Sequence, residues 1–343
     1  MKKKKKKKLR KSIKLLLSII IVIMVSYTSI TIYKNNENRF YNFFIPEFDN
    51  KKDKISIKLE ELNYTEKEIE LVKKYVNEDN ISYLIENSIN HTLVYNLVNE
   101  PYYIDDYLQQ YLSYQKEHQD KSSKDIVTII NTHIDQPFYQ NDISTDTSLG
   151  KFVILNKYYH ADKIYPNEEE LVKIDGKYHI NGTETRLNKE CYDAFLKMFE
   201  AAKAAGDEYA FKLKSAYRSY DTQVSTYNYW VSQDGKETAD TYSARAGYSE
   251  HQTGYAFDIR DYNYIHEDYS KSTSFTWVSQ NAHKYGFIIR FPKGKEHITG
   301  YQYESWHYRF CGIECATYIY ENDITFEEYY EYFIKYNNPK NLK

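Results

Sequence analysis

An α+β domain, preceded by a helical spacer and one N-terminal transmembrane helix, is what this sequence predicts, and three observations predict it. All eleven glycines lie at Gly150 or later and all three tryptophans lie after Tyr229, so two regions of different construction meet near residue 140. Before that point apolar residues recur at helical spacing, and after it short strand-like runs alternate with helices. At the N-terminus, the run from Leu15 to Tyr33 carries no charged side chain.

Residues 1–14 form a basic tail: Lys2 to Lys8, then Arg10, Lys11 and Lys14, with no acid among them. Residues 15–33 would span about 28 Å as a helix, close to the hydrocarbon thickness of a bilayer. The charge asymmetry puts the tail in the cytoplasm and the rest of the chain outside the cell membrane. The apolar stretch is longer than a signal-peptide core, and Ser26-Tyr27-Thr28-Ser29 is a poor cleavage site, so the segment is expected to remain as an anchor. Polylysine directly before such a segment reads as its cytoplasmic flank rather than as a nucleic-acid arm. The net charge of −3 becomes about −13 once the ten basic residues are set aside. That balance argues against phosphate binding to nucleic acid and against simple electrostatic adhesion to an anionic wall.

Residues 34–140 read as a helical stalk or spacer. Thr65 with Glu68 makes a capping box, and Ile69, Val72, Tyr75 and Val76 form an apolar stripe behind it. Ile104, Tyr107, Leu108, Tyr111 and Leu112 repeat the helical pattern, with Pro101 and Pro137 as breaks. Residues 141–343 form the second domain, ample for one core. Phe152 to Leu155 reads as a strand. Ala194, Phe195, Met198, Phe199 and Ala202 mark an amphipathic helix ending near Gly206. Phe211 to Ala216 alternates as a strand with Arg218 at its exit. Phe275 to Tyr285 is helical with Gly286 as its C-terminal cap. Phe287–Phe291 and Trp306–Phe310 read as strands, and Thr325 with Glu328 caps a tyrosine-rich terminal helix. Three cysteines cannot all pair, and Cys191, Cys311 and Cys315 are expected as small buried hydrophobes. The 39 tyrosines are most simply a coding bias.

The chemistry is concentrated in Ser-Glu-His-Gln-Thr-Gly-Tyr-Ala-Phe-Asp (249–258) and Glu-Ser-Trp-His (304–307). Two imidazoles, His251 and His307, with the Asp258 carboxylate make a three-ligand zinc set that leaves a fourth position for water. Glu304, three residues before His307, is placed to act as general base. The spacing alone does not separate this from a chance triple among ten histidines. The flanking residues help: Gly247 and Gly254 let the backbone turn tightly around the first pair.

The sequence resembles the VanY-type D-alanyl-D-alanine carboxypeptidases and their L,D-carboxypeptidase relatives, within the group named for lysostaphin, D-Ala-D-Ala metallopeptidases and sonic hedgehog. The resemblance runs from about residue 155 to about residue 333. It rests on Ser-Ala-Tyr-Arg-Ser (215–219), Gly-Tyr-Ser-Glu-His-Gln-Thr-Gly-Tyr-Ala-Phe-Asp-Ile (247–259), Tyr-Gly-Phe-Ile-Ile-Arg (285–290), Ile-Thr-Gly-Tyr (298–301) and Tyr-Glu-Ser-Trp-His-Tyr-Arg (303–309), in the family's order. It implies a central, mainly antiparallel sheet with flanking helices, zinc on His251, Asp258 and His307, and Glu304 as base. It also implies substrate contacts from Arg218, Ser249 and Gln223. Two positions depart from the family pattern: Ser305 stands where proline is common, and Ala216 where glycine is.

The implied reaction is removal of the C-terminal D-alanine from a peptidoglycan stem peptide by metal-activated water. Arg218 suits the free carboxylate of such a substrate because its planar guanidinium grips two oxygens at once. Oxyanion stabilisation beside zinc is the other role open to Arg218, and the competing structural role is a surface ion pair with Asp221. L,D-cleavage of a tetrapeptide, a cross-bridge endopeptidase and a non-catalytic wall-binding module are the alternatives; Glu304 argues against the last. His266, His283 and His297 are expected to lie off the metal, Trp306 to wall the pocket or orient His307, and Arg290 to bind substrate or close its strand.

Overall fold

The computed structural model describes residues 52–140, 143–182, 185–263 and 266–342. The basic tail and the apolar segment of residues 15–33 lie outside them. Among the described residues no helix is long and apolar enough to cross a membrane. The chain divides into two compact units, Met1–Lys58 and Leu59–Lys343, and the second carries the elements below.

Five short helices open this unit: α1 (Glu66–Tyr75), α2 (Glu78–Glu86), α3 (His91–Asn99), α4 (Leu108–Glu117) and α5 (Ser123–Asn131). The Thr65 box caps α1 as expected: the Thr65 amide donates to the Glu68 carboxylate at 2.7 Å and the Glu68 amide donates back to Thr65. Ser122 and Asp125 do the same for α5. Ile69, Val72, Leu97, Leu108, Tyr111 and Ile126 are buried. Each such side chain contributes about 1.5–3 kcal/mol of transfer free energy, which is how helices this short persist.

The stretch expected as a spacer packs on the C-terminal helices. Tyr102 meets Tyr332 edge-on with centroids 5.2 Å apart, and its hydroxyl lies 3.3 Å from that of Tyr318. His133 lies 3.2 Å from the Glu331 carboxylate, and Lys340 donates to the Val98 and Glu100 carbonyls. Tyrosine rings therefore help join the first helices of this unit to its last.

The core sheet has strand order β5 (Phe211–Ser215), β6 (Ala256–Asp261), β8 (His307–Phe310), β7 (Phe287–Ile289), antiparallel throughout. Two small pairs flank it: β1 (Ile143–Ser144) beside β2 (Tyr159–His160), and β3 (Leu171–Ile174) beside β4 (Thr185–Asn188). Helix α6 (Lys189–Ala205) lays Cys191, Phe195, Met198, Phe199 and Ala202 on the sheet, with Phe195 edge-on to Phe257 at 5.4 Å. Then come α7 (Tyr220–Asp234), α8 (Thr273–Asn281), α9 (Ile313–Asn322) and α10 (Phe326–Tyr329, wound on through Lys335). Gly286 closes the turn after α8 with φ +89°, and the Thr325 box caps α10. All three cysteines are free and buried.

One sequence expectation is corrected. Phe152–Leu155 is not a strand: a 3₁₀ turn ends at Phe152 and irregular buried chain follows. Its backbone is satisfied elsewhere, since the Lys151 and Val153 carbonyls accept from the Arg309 guanidinium. A run of consecutive apolar residues without alternation marks burial and does not by itself mark a ladder.

Candidate active site

The sheet register sets three polar side chains in a row. Ser215 on β5 lies opposite Asp258 on β6, and Asp258 lies opposite His307 on β8. A register shift between Leu213 and Ser215 makes the first pairing. His251 arrives from outside the sheet, on the 3₁₀ turn Glu250–Thr253. That turn needs its glycines: Gly254 sits at φ +71°, where a Cβ would come within 2.6 Å of the Leu171 side chain, and Gly247 sits at φ +88° against the Ala161 carbonyl.

Ligand atoms of His251, Asp258 and His307 lie within 4.8 Å of one another, and among the described residues this is the one such group. The His251 Nδ1 is 2.7 Å from the Ala216 carbonyl, which can only accept, so Nδ1 carries the proton and Nε2 is bare. That bare nitrogen faces Asp258 Oδ2 at 3.5 Å. His307 Nδ1 lies 3.2 Å from Asp258 Oδ1 and 3.5 Å from Glu304 Oε2. Asp258 Oδ1 is buried and has no hydrogen-bond partner. An imidazole pair, an unpartnered carboxylate oxygen and a further carboxylate make a donor set that fits a zinc ion.

The electrostatics point the same way. Burial holds the His251 ring below its ordinary pKa, which keeps it neutral and able to ligate. For Asp258 burial is outweighed by the two histidines, which hold the carboxyl well below the usual range. Burial also opposes charge on His307, but the facing carboxylates of Asp258, Glu250 and Glu304 push it up to about 9. Glu304 is pushed up to about 8 by burial, with Asp258 adding and His307 and Arg218 opposing. Two carboxyl groups, Asp258 and Glu304, share this buried space, and a bound cation would favour the charged form of both.

A cavity of about 490 Å³ opens on this cluster, and Arg218, Gln223, Ser249, Glu304 and Trp306 line it with the triad. Arg218 Nη1 donates to Gln223 Oε1 at 2.9 Å and Nη2 to Ser215 Oγ at 3.1 Å, while its amide donates to the His251 carbonyl. Gln223 donates in turn to the Ala244 carbonyl, so the guanidinium is braced from behind. Asp221 pairs with Lys163 at 2.8 Å, which removes the surface ion pair with Arg218 that the sequence allowed. Ser249 is buried at the start of the His251 turn. Trp306 both walls the cavity and packs on the core, with Arg260 over its ring at 5.3 Å. His283 stacks on Tyr320 and His266 lies 3.9 Å from Asp261, both outside the triad, and His297 lies on a short helix, Glu296–Thr299.

Sequence reasoning missed a buried charge cluster behind the site. Arg290 and Arg309 are fully buried, and each donates to Glu250 Oε1, at 2.8 and 2.9 Å. Arg290 also grips both oxygens of Glu327, at 2.9 and 2.6 Å. Arg290 thus faces the core and not a substrate. The available signal was a charge inside an apolar strand, in Phe-Ile-Ile-Arg-Phe and His-Tyr-Arg-Phe.

The VanY family profile, D-alanyl-D-alanine carboxypeptidase, matches residues 184–313. A carboxypeptidase-like protein of Bacillus subtilis, YodJ, is 40% identical over 182 residues, 52% of this chain and 66% of that protein. The bifunctional D-Ala-D-Ala dipeptidase and D-Ala-D-Ala carboxypeptidase VanXYC of Enterococcus gallinarum is 33% identical over 135 residues, 38% of this chain and 71% of that protein. Among solved structures, the LdcB LD-carboxypeptidase shares 38% identity with a TM-score of 0.50, over 56% of this chain and 94% of that one.

Proposed function

Because the chain belongs to the VanY-type D-alanyl-D-alanine carboxypeptidase family of zinc metallopeptidases, we propose that it removes the C-terminal D-alanine from peptidoglycan stem peptides. One observation carries this: a His251–Asp258–His307 donor set, a buried Glu304 and a braced Arg218 share one cavity. His251 Nε2, Asp258 and His307 Nδ1 would hold zinc. Zinc bound there supplies an activated water, with a pKa near 7, and Lewis acidity toward the scissile carbonyl. The positive charge would also draw Glu304 back toward ionisation, so that its carboxylate accepts the water's proton and passes it to the leaving amine. Arg218 grips the free carboxylate, and the Gln223 and Ser215 oxygens fix the plane of its guanidinium. Ser249 and Gln223 bound the space left for the peptide backbone.

The D,D reading is favoured by the family profile and the relatives named for D-Ala-D-Ala. An L,D reading, on tetrapeptide stems, is favoured by the likeness to the LdcB enzyme. Our reading also places the chain in the cell membrane, with residues 15–33 as a single-pass anchor, residues 1–14 in the cytoplasm, residues 34–140 as the spacer and residues 141–343 as the extracellular catalytic domain. The sequence pattern alone supports that placement.

The test is mass spectrometry of pentapeptide and tetrapeptide stems incubated separately with the zinc-loaded full chain, beside chelator-stripped protein. Loss of one alanine from the pentapeptide, abolished by stripping and restored by zinc, is the expected result. Loss from the tetrapeptide only would transfer the proposal to L,D cleavage. Loss from neither would sink it in favour of a wall-binding module.

A further inference from the structure

The carboxylate of the motif Ser-Glu-His, Glu250, lies next to one histidine of the metal set in sequence yet faces the other one in space. His307 Nε2 lies 3.7 Å from Glu250 Oε2. Both atoms are buried and neither has a hydrogen-bond partner, so each is the other's facing polar group at a separation just beyond a hydrogen bond. The other oxygen of Glu250 is occupied twice, by Arg290 Nε and Arg309 Nη1. Its free oxygen is therefore held where the His307 ring is the polar group within reach.

We propose that Glu250 is a positioning residue that fixes the tautomer of His307. A neutral imidazole carries one proton, and a carboxylate can only accept it, so a proton held at Nε2 leaves Nδ1 bare toward Asp258 and Glu304. The two histidines are then set oppositely. His251 has its Nδ1 proton held by the Ala216 carbonyl and presents Nε2, whereas His307 would turn its Nε2 proton toward Glu250 and present Nδ1. A carbonyl suffices for the first, and a full carboxylate behind the second also raises the basicity of the ligand nitrogen. Two guanidinium groups, of Arg290 and Arg309, donate to Oε1 and set their positive charge against Glu250, as a carboxylate there requires. Glu327 in turn holds Arg290 through two hydrogen bonds.

The inference rests on the metal-site reading above and not on the peptide substrate. The experiment compares Glu250→Gln with Glu327→Gln in the full chain. Each removes one carboxylate from the same buried cluster, and Glu250 alone faces His307. Zinc affinity, read by competition with a chromogenic chelator, should weaken by about 10- to 100-fold for Glu250→Gln. It should stay within about threefold of wild type for Glu327→Gln. Equal losses in both variants, or none in Glu250→Gln, would overturn the proposal. Should Glu250→Gln fail to fold, ¹⁵N-histidine NMR of the zinc-loaded wild-type chain decides: a proton on His307 Nε2 with Nδ1 on the metal supports the proposal, and a proton on Nδ1 with Nε2 on the metal overturns it. A wild-type chain that binds zinc yet cleaves no stem peptide ends the functional proposal and leaves this one standing, whereas a chain that binds no zinc ends both.

Discussion

Replacing Arg290 by methionine probes how the buried charges are balanced. The guanidinium is fully buried between two carboxylates, donating twice to Glu327 and once to Glu250. Without it Glu250 keeps Arg309, but Glu327 keeps only the Asn156 amide, at 3.3 Å. Removing one partner of a buried pair typically costs about 3–5 kcal/mol, because the other charge stays desolvated. At roughly 2–4 °C per kcal/mol for a large domain, the melting temperature should fall by about 6–20 °C. The companion variant is Arg290→Met with Glu327→Leu, which removes both charges and leaves the Arg309–Glu250 pair neutral. Exchange of a whole buried pair for apolar side chains is often near neutral, so the double variant should be more stable than Arg290→Met by about 2 kcal/mol or more. Urea unfolding of wild type, Arg290→Met, Glu327→Leu and the double variant closes the cycle. A double variant no more stable than Arg290→Met would refute the reasoning, since an uncompensated carboxylate would then not be the cause of the loss.

The other expectations concern the cavity and the tyrosines. Glu304→Gln should lower kcat by about 10²–10⁴-fold while zinc stoichiometry by metal analysis stays at the wild-type value; retained turnover would remove Glu304 from the mechanism. Arg218→Ala should raise KM for free-acid stem peptides by about 10- to 100-fold, as expected for loss of charge-assisted hydrogen bonds of roughly 1.5–3 kcal/mol. The same variant should leave C-terminally amidated peptides much less affected, and an equal effect on both would deny Arg218 the carboxylate role. Burial raises the pKa of Tyr269, Tyr301 and Tyr308 above the ordinary tyrosine value. Their stabilisation is whole below pH of about 10 and is lost as pH rises beyond it, by about 1.4 kcal/mol per pH unit for each tyrosine that stays protonated in the fold. Thermal melts from pH 8 to 11, with tyrosinate absorbance, should show unfolding and ionisation together, and gradual ionisation in a still-folded protein would contradict this.

Local signals were legible in the sequence and distant ones were not. The Thr65 and Thr325 boxes, the α6 stripe and the Gly286 cap need only neighbours within a turn or two, and each stands where the pattern put it. His251 and Asp258 were readable because a turn with positive-φ glycines and one strand carry both. Glu250, Arg309 and Glu327 went unread because a charge in a sequence looks solvated until its partner is known. Their partners lie 40, 59 and 37 residues away. The tyrosines are a similar case. A coding bias accounts for their number, but Tyr102, Tyr107, Tyr159, Tyr318 and Tyr332 also make the contacts that bind the helical front of the unit to its end. Phe152–Leu155 went wrong for the opposite reason, since burial was plain and the source of backbone partners was not.

Ser305 shows how the surroundings of a site can carry a restraint that its sequence omits. A proline there would fix one dihedral and bias Glu304 toward extended backbone. Serine does neither, which on the sequence alone loosens the loop that carries the base. In the fold, Ser305 is buried at 1% exposure and the Glu304 amide donates to the Phe291 carbonyl at 3.1 Å. Two residues earlier, the Gln302 amide donates to the Thr241 carbonyl, and its side chain donates to the Thr241 hydroxyl. Phe291 itself packs on the His307 ring with centroids 5.0 Å apart, so one residue steadies both the base and a ligand. Ala216 in place of glycine fits the same logic, since its carbonyl, and not its side chain, orients His251. The geometry of the site is thus set by backbone hydrogen bonds and buried charge behind it, and these tolerate the two departures at its edge.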